Sequence, residues 1–366
     1  MFLTHARIAL PDPASVVTPL CAHLVEHEAV VETGPGEARI ALAGATATLR
    51  YDDAQLEVAV EAAELAALAS LRFAVASHVV EFAPEGKRLR IHWEGDGAGP
   101  SLLPGFRLLT VAAIETVTPH MRRIHFAGED LARYDSLEAL HVRLFIPPAG
   151  LAEPAWPMLG EDGLPIAPPE DKRPAIRKYT IRSIDAAAGR LAIDFVLHDD
   201  AGPGAAFAAR AQPGDQVGMA GPGGRGLQSA GRYVFLADAT GLPAVGRMLA
   251  ALPAQATGLA IVEVAGPEEE QALARPEGVT LRWLHRADGA PSGLAEAFDA
   301  LDWPADGPDS YLWAAMEHAD FLRIRAGARE RLRRDRDRHL VVSYWRAGLA
   351  EEQHAADKKA AAAKAA

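Results

Sequence analysis

From Gly231 onward the chain alternates short apolar runs with amphipathic stretches, and few folds accept that pattern. Gly231 to Ala237, Leu259 to Val264, Val279 to Leu284, Ser310 to Ala315 and Leu340 to Trp345 read as strands. Helices are predicted through Leu252, near Gly293 to Leu301, and from about Ala319 to Arg334. Strands that are apolar on both faces and separated by helices imply a parallel doubly wound sheet, because each crossover lays a helix on the sheet. Its ligand crevice is expected beyond the strand C-termini. From Gly231 onward there is no G-x-G-x-x-G, so the anchor expected there is the strand-to-helix turn Asp238-Ala239-Thr240-Gly241-Leu242-Pro243-Ala244.

The preceding region has a different texture. Leu108 to Ile114 and Met121 to Phe126 flank a Thr118-Pro119 turn, and His141 to Ile146 ends at Pro147-Pro148. Short strands between turns predict an antiparallel barrel. The aperiodic, Pro- and Gly-rich stretch from Pro147 to Ala175 is expected to be a functional loop covering a ligand mouth. After it comes the strand Arg177-Lys178-Tyr179-Thr180-Ile181-Arg182-Ser183, with Arg177 and Tyr179 on one face by alternation. A guanidinium fork beside a phenol ring suits a ligand that is both anionic and flat. Thr180 adds a backbone N–H. The strand Arg190 to His198 then runs into Asp199-Asp200-Ala201-Gly202-Pro203-Gly204-Ala205-Ala206-Phe207. A Gly-Pro-Gly turn opening a helix aims unpaired N–H groups at an anion, with Pro203 fitted to a first helical position.

This order of segments, from about residue 105 to 355, resembles the siderophore-interacting proteins, flavin-dependent ferric-siderophore reductases related to ferredoxin–NADP reductases. The resemblance implies an FAD whose pyrophosphate meets Arg177, whose isoalloxazine stacks on Tyr179, and whose N5 lies near Thr180. Ile181 and Arg182 complete that strand. Val196, Leu197, His198, Ala201, Gly202, Pro203, Gly204, Ala205 and Phe207 would line the phosphate side. Asp238, Thr240, Gly241, Leu242, Pro243 and Trp345 would face the cofactors from the α/β portion. The chain departs from the family pattern at Ala205 (usually serine), Phe207 (tryptophan), Ala239 (glutamate) and Met316 (glycine). A thioether at 316 is expected to fill nucleotide space, so that NAD(P)H reduces the flavin slowly and a ferredoxin-type donor serves instead.

The expected fold is therefore multidomain and ferredoxin reductase-like. It comprises a small α+β domain at 1–97, an FAD-binding barrel at 101–229, an α/β NAD(P)H-binding-like domain at 230–350 and a low-complexity tail at 351–366. The first domain, with a closing strand expected at Leu89 to Trp93, resembles an uncharacterised bacterial domain. A Gly-rich linker follows it, so residues 101–366 are expected to bind FAD alone. Within the first domain His23-Leu24-Val25-Glu26-His27 spells H-x-x-E-H, the inverted zincin signature. No enzyme-sized domain surrounds it, so it is taken as a solvated helix face and no metal site is assigned. Cys21, the single cysteine, excludes disulfides and Cys-ligated clusters and reads as a small core residue.

A net charge of −12 argues against nucleic acid as a partner. No leader and no membrane-spanning run is read from the sequence, which points to a cytoplasmic, monomeric protein. The expected activity is reduction of a ferric siderophore or other ferric chelate, with Arg143, Lys178 and Arg346 as cationic docking residues. Fe(II) is less charged and softer than Fe(III), so oxygen chelators release it. The alternatives are a general NAD(P)H:flavin or ferredoxin-type reductase, and a non-catalytic flavin- or siderophore-binding protein.

Overall fold

The computed structural model describes residues 1–84, 86–151, 153–198, 202–302, 309–332, 337–349, 353–354 and 357. Ala201 and most of the tail 351–366 lie outside these residues. The chain divides into two compact units, Met1–Phe106 with Gly150–Pro174, and Arg107–Ala149 with Ala175–Ala366.

The first unit is built on a six-stranded sheet in the order Val30–Gly34, Glu37–Leu42, Ala45–Tyr51, Gln55–Ala62, Phe2–Ala9, Trp93–Gly95, paired antiparallel throughout. Period-two alternation turns Thr4, Ala6 and Ile8 inward and leaves His5 and Arg7 outside. The helix Pro13–Glu26 starts where Asp12 accepts a hydrogen bond from the Ser15 N–H and Pro13 presets the first turn. It buries Val16, Val17, Leu20, Cys21 and Leu24. The helix Leu65–Phe82 is long and apolar enough to cross a membrane by length and composition, contrary to the sequence expectation. Here it buries Leu68, Leu71, Arg72, Val75, Ala76 and Val79 in the core of this unit. The expected strand from Leu89 is shorter, Trp93–Gly95, because Leu89 and Ile91 enter the core as side chains while only Trp93 onward pairs with Thr4 to Ala6.

Gly150–Pro174, expected to be an aperiodic loop, groups with this first unit and contains the short strands Met158–Leu159 and Pro165–Ile166. Met158–Leu159 pairs with both Pro165–Ile166 and Ser101–Leu102. Trp93 Nε1 donates to the Asp162 carbonyl at 3.1 Å, and Leu164 packs on the core. Gly163 has φ +76°, and an added Cβ would stand 3.1 Å from Trp93 Nε1 and 3.3 Å from the Ala76 methyl. Any side chain there would strain the backbone and push these neighbours apart by a few tenths of an ångström. The first compact unit therefore extends beyond the expected boundary near residue 100 to include this segment. Deleting residues 1–97 removes the partners of this segment and exposes Leu159 and Leu164. Limited proteolysis should then cut within 150–174 of the truncated chain and spare the same bonds in the full chain.

The second unit begins with a closed barrel in the order His141–Ile146, Ala175–Asp185, Arg190–Val196, Met121–Gly128, Arg107–Thr118, Gln216–Gly223. Leu109, Val111, Ile124, Phe126, Leu144, Ile193 and Phe195 fill it. A five-stranded sheet follows, in the order Val279–His285, Thr257–Val264, Arg232–Asp238, Ser310–Glu317, His339–Trp345, parallel at every pairing. Alternate residues serve different cores. Trp313 and Ala315 join one with Leu242 and Met248, while Leu312, Ala314 and Met316 join the other with Phe298 and Ile324.

Candidate functional site

The Ala175–Asp185 strand is the centre of the site. Its register sets Lys178 beside Arg143, Tyr179 beside Val142 and Thr180 beside His141. Cross-strand partners share a face, so Arg143 and Lys178 stand together, and both are exposed. Arg177 is half-buried and donates Nη1 to the Ile176 carbonyl at 2.8 Å. The Tyr179 ring leans on Phe195, with centroids 4.3 Å apart, and Phe207 lies 6.1 Å beyond Phe195. A Cβ added to Gly204 would collide with the Tyr179 hydroxyl, so the aromatic strand and the Gly-Pro-Gly turn meet in space.

At Gly202 an added Cβ meets nothing within 4 Å, and the helix Pro203–Arg210 carries no side-chain cap. No described side chain caps its first turn, the arrangement that suits a phosphate. A flavin dinucleotide fits this cradle: an arginine fork, an aromatic face and an uncapped helix start lie within one barrel edge. Ala205 and Phe207 are buried beneath the turn, Val196 and Leu197 are half-buried, and His198 is exposed.

Thr180 is buried, and its hydroxyl shares a hydrogen bond with Tyr344, whose phenol burial pushes up to about 12. The next residue, Trp345, donates Nε1 to Asp238 Oδ2 at 2.8 Å. Asp238 is buried and also accepts from Thr240 N at 2.9 Å, Thr240 Oγ1 at 2.5 Å, Gly241 N at 3.3 Å and Glu317 N at 3.0 Å. The structure thus gathers Asp238, Thr240, Gly241, Glu317 and Trp345 into one network, with Thr180 bonded to the neighbouring Tyr344. Within it the Asp238 carboxylate ties together the C-terminal ends of three adjacent strands.

Other expected site residues have different surroundings. Ile181 belongs to the barrel core, and Leu242 and Pro243 are buried at the start of their helix. Arg182 Nε stands 3.8 Å from Asp194 Oδ2, and a Cβ on Gly246 would approach Arg182 Cζ to 3.0 Å. Arg346 Nη1 lies 3.5 Å from Asp357 Oδ2. The expected steric block at Met316 is overturned. Its side chain is 0% exposed and packs with Phe298 and Ile324 under the helices, because position 316 falls on the core-facing phase of its strand.

Sequence reasoning missed the polar residues that join barrel to sheet. Arg247 is buried and donates to the carbonyls of Ile181 (3.2 Å), Tyr134 (3.0 Å) and Ser136 (2.9 Å). Burial pulls its guanidinium below the usual range, opposed by Asp135. Glu269 accepts from Thr118 Oγ1 at 2.5 Å, His120 N at 2.9 Å and His120 Nδ1 at 2.8 Å. The available signal was an arginine set within the apolar run Leu242 to Leu249.

A closed antiparallel barrel thus leads into a parallel α/β sheet, with the arginine–tyrosine strand set against a glycine turn. Residues 110–226 match the model of the siderophore-interacting FAD-binding domain, and residues 230–348 match that of siderophore-interacting protein. The chain is 30% identical over 252 residues to the ferric vibriobactin reductase of Vibrio cholerae, spanning 68% of this chain and 92% of that one. It is 31% identical to the NADPH-dependent ferric-chelate reductase of Escherichia coli, spanning 66% of this chain and 93% of the relative. The crystal structure of the siderophore-interacting protein SipS of Aeromonas hydrophila is similar at 35% identity and a TM-score of 0.59, covering 70% of this chain and 97% of that one. This chain belongs to the siderophore-interacting protein family. Residues 5–94 match a domain described only as an uncharacterised protein conserved in bacteria.

Proposed function

We propose that this protein is an FAD-dependent ferric-siderophore reductase that frees iron from its chelate as Fe(II). The observation that carries the reading is the meeting of Tyr179 with Gly204, which supports one ligand shared by the aromatic strand and the glycine turn. The names of the relatives in Vibrio cholerae and Escherichia coli support the ferric chelate as substrate. When bound, the flavin accepts an electron pair and passes electrons on singly, as one-electron reduction of Fe(III) demands.

The chain's own residues bind and orient. Arg177 and the N–H groups after Gly202 hold the pyrophosphate, and Tyr179 supports the ring system. The adjacent Arg143 and Lys178 attract an anionic chelate, and Arg346 is a further docking cation. The barrel within 101–229 carries this site, and the sheet within 230–350 receives the donor. With Met316 in the core, nothing at that position hinders a nicotinamide donor, so NAD(P)H takes precedence over a ferredoxin. The protein acts as a monomer in the cytoplasm.

The test is anaerobic reduction of a ferric siderophore with a ferrous trap present. Trapped Fe(II) dependent on bound FAD supports the reading, whereas flavin turnover without Fe(II) release identifies a general flavin reductase. The purified protein should be yellow. Tyr179→Ala and Gly204→Val should each weaken FAD retention at least about tenfold, the first by removing the aromatic face and the second by forcing the tyrosine out. Retention is read from flavin absorbance after gel filtration.

A further inference from the structure

We propose that the first unit carries a transition-metal site seated on His23 and His27. The H-x-x-E-H stretch spans the last turn of Pro13–Glu26 and its C-cap residue His27, and the structure brings the two rings together. The two Nε2 atoms are 3.1 Å apart and the ring centroids 4.8 Å apart. Two imidazoles on one tetrahedral ion hold their nitrogens about 3.3 Å and their centroids about 5 Å apart, given metal–nitrogen bonds of about 2.0–2.1 Å. The two rings are hydrogen-bonded to each other at a spacing close to that of two ligands of one ion.

The atoms behind the rings point the same way. Glu26 Oε2 lies 3.7 Å from His23 Nδ1, on the side away from His27, where a carboxylate raises imidazole basicity. From the helix Leu65–Phe82, the His78 ring stands 4.7 Å from that of His23, and its Nδ1 binds the Ala74 carbonyl at 2.6 Å. A backbone acceptor on Nδ1 leaves Nε2 as the free lone pair, the tautomer a ligand needs. Among the described residues no three His, Cys, Asp or Glu side chains already close round one point. The site is therefore a two-imidazole seat open to solvent, with His78 beside it. His23 and His78 are half-buried and His27 is exposed, so an ion reaches the pair directly. Imidazole donors select a divalent first-row transition ion, zinc, nickel, copper or ferrous iron, over calcium or magnesium.

The proposal stands apart from the flavin reading, and its test needs no turnover. Full-length protein is titrated with zinc chloride by calorimetry near pH 7.5, and separately with copper(II) for nitrogen splittings in the electron paramagnetic resonance spectrum. One saturable zinc site is expected. Its affinity should fall at least about tenfold in His23→Ala and in His27→Ala and less in Glu26→Gln, with far-ultraviolet circular dichroism unchanged. The copper spectrum should show two equivalent nitrogens, lost in the double variant His23→Ala/His27→Ala. No saturable zinc binding, or binding that survives both single substitutions, overturns the proposal.

Discussion

Met316→Gly is expected to destabilise the protein by about 3–6 kcal/mol and to leave flavin reduction by NADH or NADPH no faster. The methionine side chain is 0% exposed among Val234, Ile261, Phe298 and Ile324, so truncation leaves a cavity where packing was complete. Removing a buried methionine to alanine costs about 2–5 kcal/mol, and glycine inside a strand adds about 0.5–1 kcal/mol of backbone entropy. The sequence alone favours the opposite result, since the family pattern carries glycine at this position. Denaturant midpoints and anaerobic stopped-flow bleaching decide the matter together. Faster bleaching with stability preserved would put the thioether in the nucleotide's path after all.

Asp194→Ala should destabilise the barrel by about 3–5 kcal/mol, more than loss of any surface ion pair. Asp194 is 4% exposed, accepts from Arg123 Nε at 2.6 Å and Nη2 at 3.0 Å, and stands 3.8 Å from Arg182. The hydrogen bond to Asp194 holds the Arg123 guanidinium above its usual range, while burial pulls that of Arg182 below it. Without the carboxylate, two partly buried cations face each other unpaired. Arg182 also packs on Gly246, in the helix after the nucleotide turn, so loosening it should carry into flavin retention. Thermal unfolding and flavin release measured on one sample check this. If the double variant Asp194→Leu/Arg123→Met melts as low as Asp194→Ala, the loss comes from packing and not from uncompensated charge.

The barrel-then-sheet architecture was legible because both halves write strong local signals. The strand Tyr233 to Asp238 is buried on both faces and could not pass for anything else, and Gly202-Pro203-Gly204 announces a helix start through backbone chemistry alone. Tyr179 and Arg177 were legible for the same reason, as side chains fixed to one strand face by period-two geometry. The strand Val30–Gly34 was not, since it is an edge strand with no inward alternation to betray it. Nor was the histidine pair: spacing put His23 and His27 on one face, but only coordinates give the distance between their nitrogens.

What the sequence determined by itself is what a few neighbouring residues decide: strand, helix, turn, and the chemical types on the Arg177–Tyr179 strand and the glycine turn. What only the tertiary structure decided depends on partners remote along the chain. Asp238 is an organiser of strand ends because Glu317 and Trp345 arrive beside it. Met316 is core because Phe298 and Ile324 cover it. Gly150–Pro174 belongs to the first unit because Trp93 and the core it borders offer that segment a hydrogen bond and apolar burial. Backbone propensity acts over a few residues, whereas burial and hydrogen-bond satisfaction are settled by whatever the fold brings into contact.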